Sequence, residues 1–110
     1  MDTVYITELS NDDGVVAIKA GWTDQPIEKR MQQLNNEFNN RFNVKLVMKK
    51  KMHKARVVEK ALHRAFVDSR KIVFKKFGNS RECYNTSAKA EMMMFVDKYY
   101  DWVEDLLKLN

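Results

Sequence analysis

Glu59 and His63 stand four residues apart in Lys54-Ala55-Arg56-Val57-Val58-Glu59-Lys60-Ala61-Leu62-His63-Arg64-Ala65-Phe66. Ala55, Val58, Leu62, Ala65 and Phe66 recur at steps of three and four, which predicts one apolar stripe on a helix from about Lys54 to Arg70. On such a helix Glu59 and His63 lie one turn apart beside the stripe. Lys54, Arg56, Lys60 and Arg64 fill much of the remaining surface. A single carboxylate ringed by cations either serves chemistry or merely balances its neighbours on a solvated face. Four more polar residues stand at special places. Tyr5 falls in a first strand, Lys19 at the end of a second, Arg30 on a first helix, and Asn85 just before a last one. These types can exchange protons or carry charge to an anion, but their spacing alone selects no reaction. His53, His63 and Cys83 do not match a zinc spacing, and no Gly-rich phosphate loop or serine nucleophile elbow is present.

The elements that must position these residues can be read in order. Val4-Tyr5-Ile6-Thr7 is β-branched and aromatic and reads as a strand. Asn11-Asp12-Asp13-Gly14 is turn chemistry, and Val15 to Ala20 resumes the extended pattern, giving a hairpin with a loop longer than two residues. Gly21 is expected to break that strand, at a bulge or a close backbone approach. Thr23 or Asp24 is expected to cap a helix with Pro26 in its first turn and Ile27, Met31 and Leu34 on its apolar face. The Asn-rich run from Asn35 to Asn43 ends that helix. Val44 to Lys49 reads as a third strand, and Lys49-Lys50-Lys51 as its charged edge or exit. After the Glu59 helix come the short apolar piece Ile72-Val73-Phe74, a turn at Gly78-Asn79-Ser80 and a short extended segment at Glu82-Cys83-Tyr84-Asn85. Thr86 or Ser87 then caps a final helix of about 87–107. Its apolar set is Met92, Phe95, Val96, Tyr99, Trp102, Val103 and Leu106, widened by Met93, Tyr100 and Leu107. Either that broad stripe wraps the core, or it buries a second surface such as a homodimer partner. The expected class is α+β: one domain over 1–110, with a small three-stranded, mostly antiparallel sheet flanked by helices in the order β-β-α-β-α plus a C-terminal helix.

Composition narrows the partners. The net charge of +5 is unevenly spread: residues 1–44 carry four cations and seven acids, 45–81 thirteen cations and two acids, and 82–110 three cations and six acids. A basic middle third favours a polyanion, because each phosphate it neutralises releases counterions. A solvated basic face without a ligand is the alternative. The lone Cys83 cannot form an internal disulfide, no apolar run approaches a membrane span, and the N-terminus lacks a signal-peptide pattern. A cytoplasmic protein with no membrane partner is expected.

Val4-Tyr5-Ile6, Lys19-Ala20-Gly21-Trp22-Thr23, Arg30-Met31 with Leu34, Glu59 with Leu62-His63, and Glu82-Cys83-Tyr84 together resemble the GIY-YIG nuclease superfamily. The likeness is to its small phage and bacterial branch, where Lys-x-Gly-x-Thr replaces the second tyrosine motif. It runs from about Val4 to Tyr84. The first motif here begins with Val4 rather than Gly, and Lys19 stands where the second tyrosine usually does.

The resemblance implies a metal-dependent DNA endonuclease of phage or mobile-element type, working in the host cytoplasm if phage-encoded. Position by position, it makes Tyr5 a general base or water positioner, Arg30 the residue that steadies the phosphate, and Glu59 the carboxylate that binds Mg²⁺ or Mn²⁺. His63 becomes a supporting group on the same helix, and Asn85 matches a late asparagine or is simply a helix cap. A phenol yields its proton reluctantly at neutral pH, so Tyr5 as a base needs positive charge nearby, which Lys19 could supply. Lys19 could instead orient the water. With no appended DNA-reading domain in these residues, the DNA would meet Lys49, Lys50, Lys51, Lys54, Arg56, Lys60 and Arg64. Two other readings share the same sequence: a catalytically silent regulator on this fold that binds DNA or a host protein, and a dimeric interaction module built on the last helix.

Overall fold

The computed structural model describes residues 1–38, 41–71 and 83–109. The expectations for Ile72-Val73-Phe74, Gly78-Asn79-Ser80 and Glu82 lie outside them. Four strands, β1 (Asp2–Asn11), β2 (Gly14–Thr23), β3 (Asn43–Met52) and β4 (Cys83–Tyr84), form one antiparallel sheet in the order β3-β1-β2-β4. Among the described residues three helices accompany it: α1 (Ile27–Glu37), α2 (Ala55–Ala65) and α3 (Lys89–Lys108). The class is the expected α+β, with four strands among the described residues rather than three. The fourth is the extended segment at Cys83-Tyr84, which pairs with Lys19 and Ile18 of β2.

Strand alternation sorts the side chains onto two faces. Val4, Ile6, Ile18, Ala20 and Tyr84 enter one core with Met52, with Ala55, Val58 and Leu62 of α2, and with Met92 and Val96 of α3. Tyr5, Thr7, Leu9, Lys19, Gly21 and Cys83 therefore belong to the other face. There Leu9, Ala17 and Cys83 pack with Phe38, which follows α1. The sheet is thus covered by α2 and α3 on one side and served by α1 on the other.

Several boundaries differ from expectation for local reasons. The hairpin loop has only two residues, because Asn11 pairs with Gly14 and the Asn11 side chain accepts the Asp13 amide at 2.8 Å. Gly14, at φ +111°, takes the backbone conformation that the reversal needs. β2 does not stop at Gly21 but runs on to Thr23, paired with β1 throughout. β3 includes Lys49, Lys50 and Lys51, which lie opposite Tyr5, Val4 and Thr3, and it forms one edge of the sheet as expected. Neither Thr23 nor Asp24 caps α1. Pro26 occupies that position, and the Thr23 hydroxyl accepts the Gln25 amide at 3.0 Å instead. α2 ends at Ala65, and the chain tightens into a 3₁₀ turn over Val67–Ser69. β-branched Val67 and the backbone-competing Asp68 and Ser69 weaken a regular helix there. A second such turn, Thr86–Ala88, precedes α3, so neither Thr86 nor Ser87 is a side-chain cap.

Candidate active site

Tyr5 and Arg30 meet on the α1 face. Arg30 Nε donates to the Tyr5 hydroxyl at 3.1 Å. Its Nη1 lies 3.3 Å from Gln33 Oε1 and 3.4 Å from Glu37 Oε1. Gln33 and Glu37 sit three and seven residues further along α1, on the same helical face, so one helix both delivers and braces the guanidinium. Burial works against the charged form of Arg30. The bond to Tyr5 and the negative charge of Glu37 outweigh it and push the pKa up from its ordinary value. Arg30 is therefore a fixed cation, and its Nη2 makes no such bond among the described residues.

Gly21 makes this contact possible. It pairs directly with Tyr5 across the sheet. A Cβ at Gly21 would run into the Tyr5 hydroxyl and come within 2.7 Å of Cζ. The phenol ring thus lies across bare backbone, which is the close approach expected at Gly21. Lys19 is on the same face, fully buried, with its carbonyl accepting the Thr7 hydroxyl at 3.0 Å.

The second group lies across the sheet. Glu59 is 8% exposed, and its Oε1 stands 2.8 Å from His63 Nε2. That pair is close enough for an ion pair but poorly aligned for a hydrogen bond, so buried Nε2 has no well-aligned partner. His63 Nδ1 is hydrogen-bonded to the Tyr84 hydroxyl, and the two rings stack at 5.6 Å. Tyr84 was expected in an extended segment and in the late motif of the resemblance, but with no role at the site. The signal that could have placed it is the i, i+4 geometry of Glu59 and His63, which leaves the far imidazole nitrogen to be matched from the sheet.

The candidate residues therefore form two groups, Tyr5 with Arg30 and Glu59 with His63, on opposite faces. The edge of β2 lies between them. Among the described residues, β4 pairs only with Ile18 and Lys19. Trp22 points toward the α2 face, where Arg56 lies 5.4 Å from its ring centroid. Trp22 also lines a hollow of about 200 Å³ with Arg30 and Gln33. Arg56 precedes Glu59 by three residues on α2. Asn85 is exposed, and its backbone amide donates to the Ser69 carbonyl at 2.8 Å.

The cations divide in the same way. Lys49 and Lys51 are exposed on the Tyr5 face and line a cavity of about 540 Å³ with Thr3 and the start of α1. Lys50 turns the other way, 3.4 Å from Asp97 and 4.7 Å from the Tyr100 ring centroid. Lys54, Arg56, Lys60 and Arg64 are exposed along α2.

Residues 2–107 match the T5orf172 domain. The chain belongs to that family. T5orf172 domains occur in phage and bacterial proteins and are often linked to nuclease-like sequences. No curated protein and no solved structure shows significant similarity to this T5orf172 chain. No described helix of the domain is long and apolar enough to cross a membrane.

Among the described residues, no group of three or more His, Cys, Asp and Glu side chains could enclose a metal. Glu59 with His63 offers a different donor set, one carboxylate beside an imidazole. A hard divalent ion can be satisfied by a single carboxylate when phosphate oxygens and water complete its shell. The residues fit a metal that arrives with its substrate rather than one held in a protein cage.

Proposed function

We propose that this T5orf172 domain is a GIY-YIG-type endonuclease that hydrolyses a DNA phosphodiester at the edge of β2. The observation that carries this reading is the Arg30–Tyr5 hydrogen bond over Gly21. It joins the first motif, the glycine of the second and the helical arginine in one contact. Supporting it, Trp22 lines a hollow with Arg30 and its ring also lies near Arg56, on the helix that carries Glu59.

In this reading Arg30 Nη2 donates to non-bridging oxygens of the scissile phosphate. The negative charge that grows there as the phosphorus becomes pentacovalent strengthens those bonds. Arg30 is held in plane by Tyr5, Gln33 and Glu37, so little reorganisation accompanies the step. A water oxygen attacks the phosphorus and its proton passes to the Tyr5 oxygen as the phenol gives up its own to solvent; the bond to the leaving oxygen breaks with the electron pair on that oxygen, which takes a proton from solvent. Lys19, buried on the same face, sets the local positive potential. Glu59 would hold Mg²⁺ or Mn²⁺, which when bound supplies Lewis-acid charge to the phosphate. Lys49, Lys51, Arg56, Lys60 and Arg64 hold flanking phosphates, contacts that position DNA without specifying its sequence.

A second reading is favoured by one observation: the sheet separates Tyr5 and Arg30 from Glu59 and His63. A silent relative of the same fold would bind DNA through the same cations without cutting it. Supercoiled plasmid nicking with Mg²⁺ or Mn²⁺ decides between them. Conversion to open-circular product that stops with EDTA supports the enzyme. Intact, salt-sensitive DNA binding with no nicking on any substrate supports the regulator.

A further inference from the structure

α3 carries more apolar surface than the core uses. Met92, Val96 and Val103 are buried, but Trp102 is 58% exposed, and Leu106 and Leu107 are also exposed. On α2, Val57 is 61% exposed. These residues line one apolar groove of about 370 Å³ between α2 and α3, with Lys54, Val58, Tyr99 and Val103 completing it. On the other side of Trp102 lies a second hollow of about 230 Å³, lined by Lys98, Tyr99 and Trp102 itself. Trp102 thus stands as a ridge between two sockets.

The charge around this face is split. α3 carries five carboxylates and three lysines, whereas Lys54 to Arg64 carries four cations and one carboxylate. Asp101 and Asp105 are exposed, one turn apart, beside Trp102 and Leu106. Lys54 rims the groove on the α2 side. DNA would be repelled by the α3 side, and a partner of uniform charge would match only half of the rim.

We infer that the α2/α3 groove is the interface of a two-fold dimer, in which each copy seats its Trp102 ridge in the groove of the other. An isologous interface must be self-complementary, presenting both the projection and the socket on one patch, and this patch does. The groove's lining takes Lys54 but not Arg56, Lys60 or Arg64, so the acidic α3 of each copy meets the Lys54 rim of its partner. The α1 face, with Tyr5, Arg30, Lys49 and Lys51, stays open in this dimer, because α3 packs on the opposite side of the sheet. The inference does not depend on the chain being a nuclease.

Sedimentation velocity from about 2 to 200 µM, at low and high salt, tests it. The wild type is expected to move from monomer to dimer, with weaker association at high salt. Trp102→Ser with Leu106→Ser should remain monomeric with unchanged circular dichroism. Asp101→Lys with Asp105→Lys, which alters only exposed polar positions, should weaken association at least tenfold. A wild type that stays monomeric at 200 µM overturns the inference. So does a dimer that persists unchanged in both double variants, since that interface lies elsewhere.

Discussion

At the residue scale the account turns on what crosses above Gly21. Tyr5 reaches Arg30 because position 21 has no side chain. Gly21→Ala is expected to displace the phenol ring, break the Arg30 contact and cost about 1–3 kcal/mol of stability through overpacking. Chemical denaturation measures the stability, and a cleavage assay measures the loss of activity. Unchanged stability together with unchanged activity would mean that the ring moves aside freely. The sequence made Gly21 legible as a close approach, but not what approaches it, because cross-strand register is set by the whole hairpin. Arg30 could be placed beside the apolar face of its helix by periodicity. Its bracing by Gln33 and Glu37 follows from the same periodicity, yet a sequence does not tell which of several polar neighbours a guanidinium selects. Tyr84 was the least visible, since its role requires β4 to dock beside β2 and bring its ring onto His63.

At the element scale, the apolar stripe of α2 was readable except at Ala65, which is exposed at the helix end. Ala55, Val58 and Leu62 are buried in the core shared with β1, β2 and α3, and Phe66 packs against it. Leu62, fully buried, makes the sharpest test. Leu62→Ala should destabilise the fold by about 2–5 kcal/mol, read as a lower denaturation midpoint at an unchanged slope. A loss below about 1 kcal/mol would place α2 outside the cooperative core. The hairpin was legible as a hairpin, but its length was misjudged. Asn11 and Gly14 look like loop residues by composition, yet they pair with each other and close a two-residue turn. Gly14→Ala should cost about 1–2 kcal/mol, because φ +111° is strained for any residue with a Cβ. The fourth strand eluded a firm reading because two residues carry too short a pattern to register as alternation. The caps were misread because Thr23, Thr86 and Ser87 are common cap types whose hydroxyls compete for nearby backbone groups.

At the scale of the whole molecule, the uneven charge was plain in the sequence, but its partition was not. A block of three lysines in a strand must point alternately, so Lys49 and Lys51 face the Tyr5 side while Lys50 packs onto α3. DNA binding by way of Lys49 and Lys51 should therefore weaken steeply with salt. Lys49→Ala with Lys51→Ala should flatten the log–log salt dependence by about two phosphates' worth, whereas Lys50→Ala should leave it almost unchanged. An equal effect from Lys50 would place the DNA on the α3 side. The other collective feature, hidden from any linear pattern, is that the candidate residues come from both faces and can share a phosphate only around the edge of β2.

That sharing is the central claim, and single-turnover cleavage of one DNA substrate by wild type, Arg30→Ala and Glu59→Gln, with affinity measured in parallel, tests it most directly. Both variants are expected to lose at least about 100-fold in rate, as when a group that stabilises transition-state charge is removed. Glu59→Gln should keep its DNA affinity or gain slightly, because a negative charge leaves the binding surface. A Glu59→Gln variant that cleaves at the wild-type rate would contradict the account, since the carboxylate across the sheet would then have no part in the reaction.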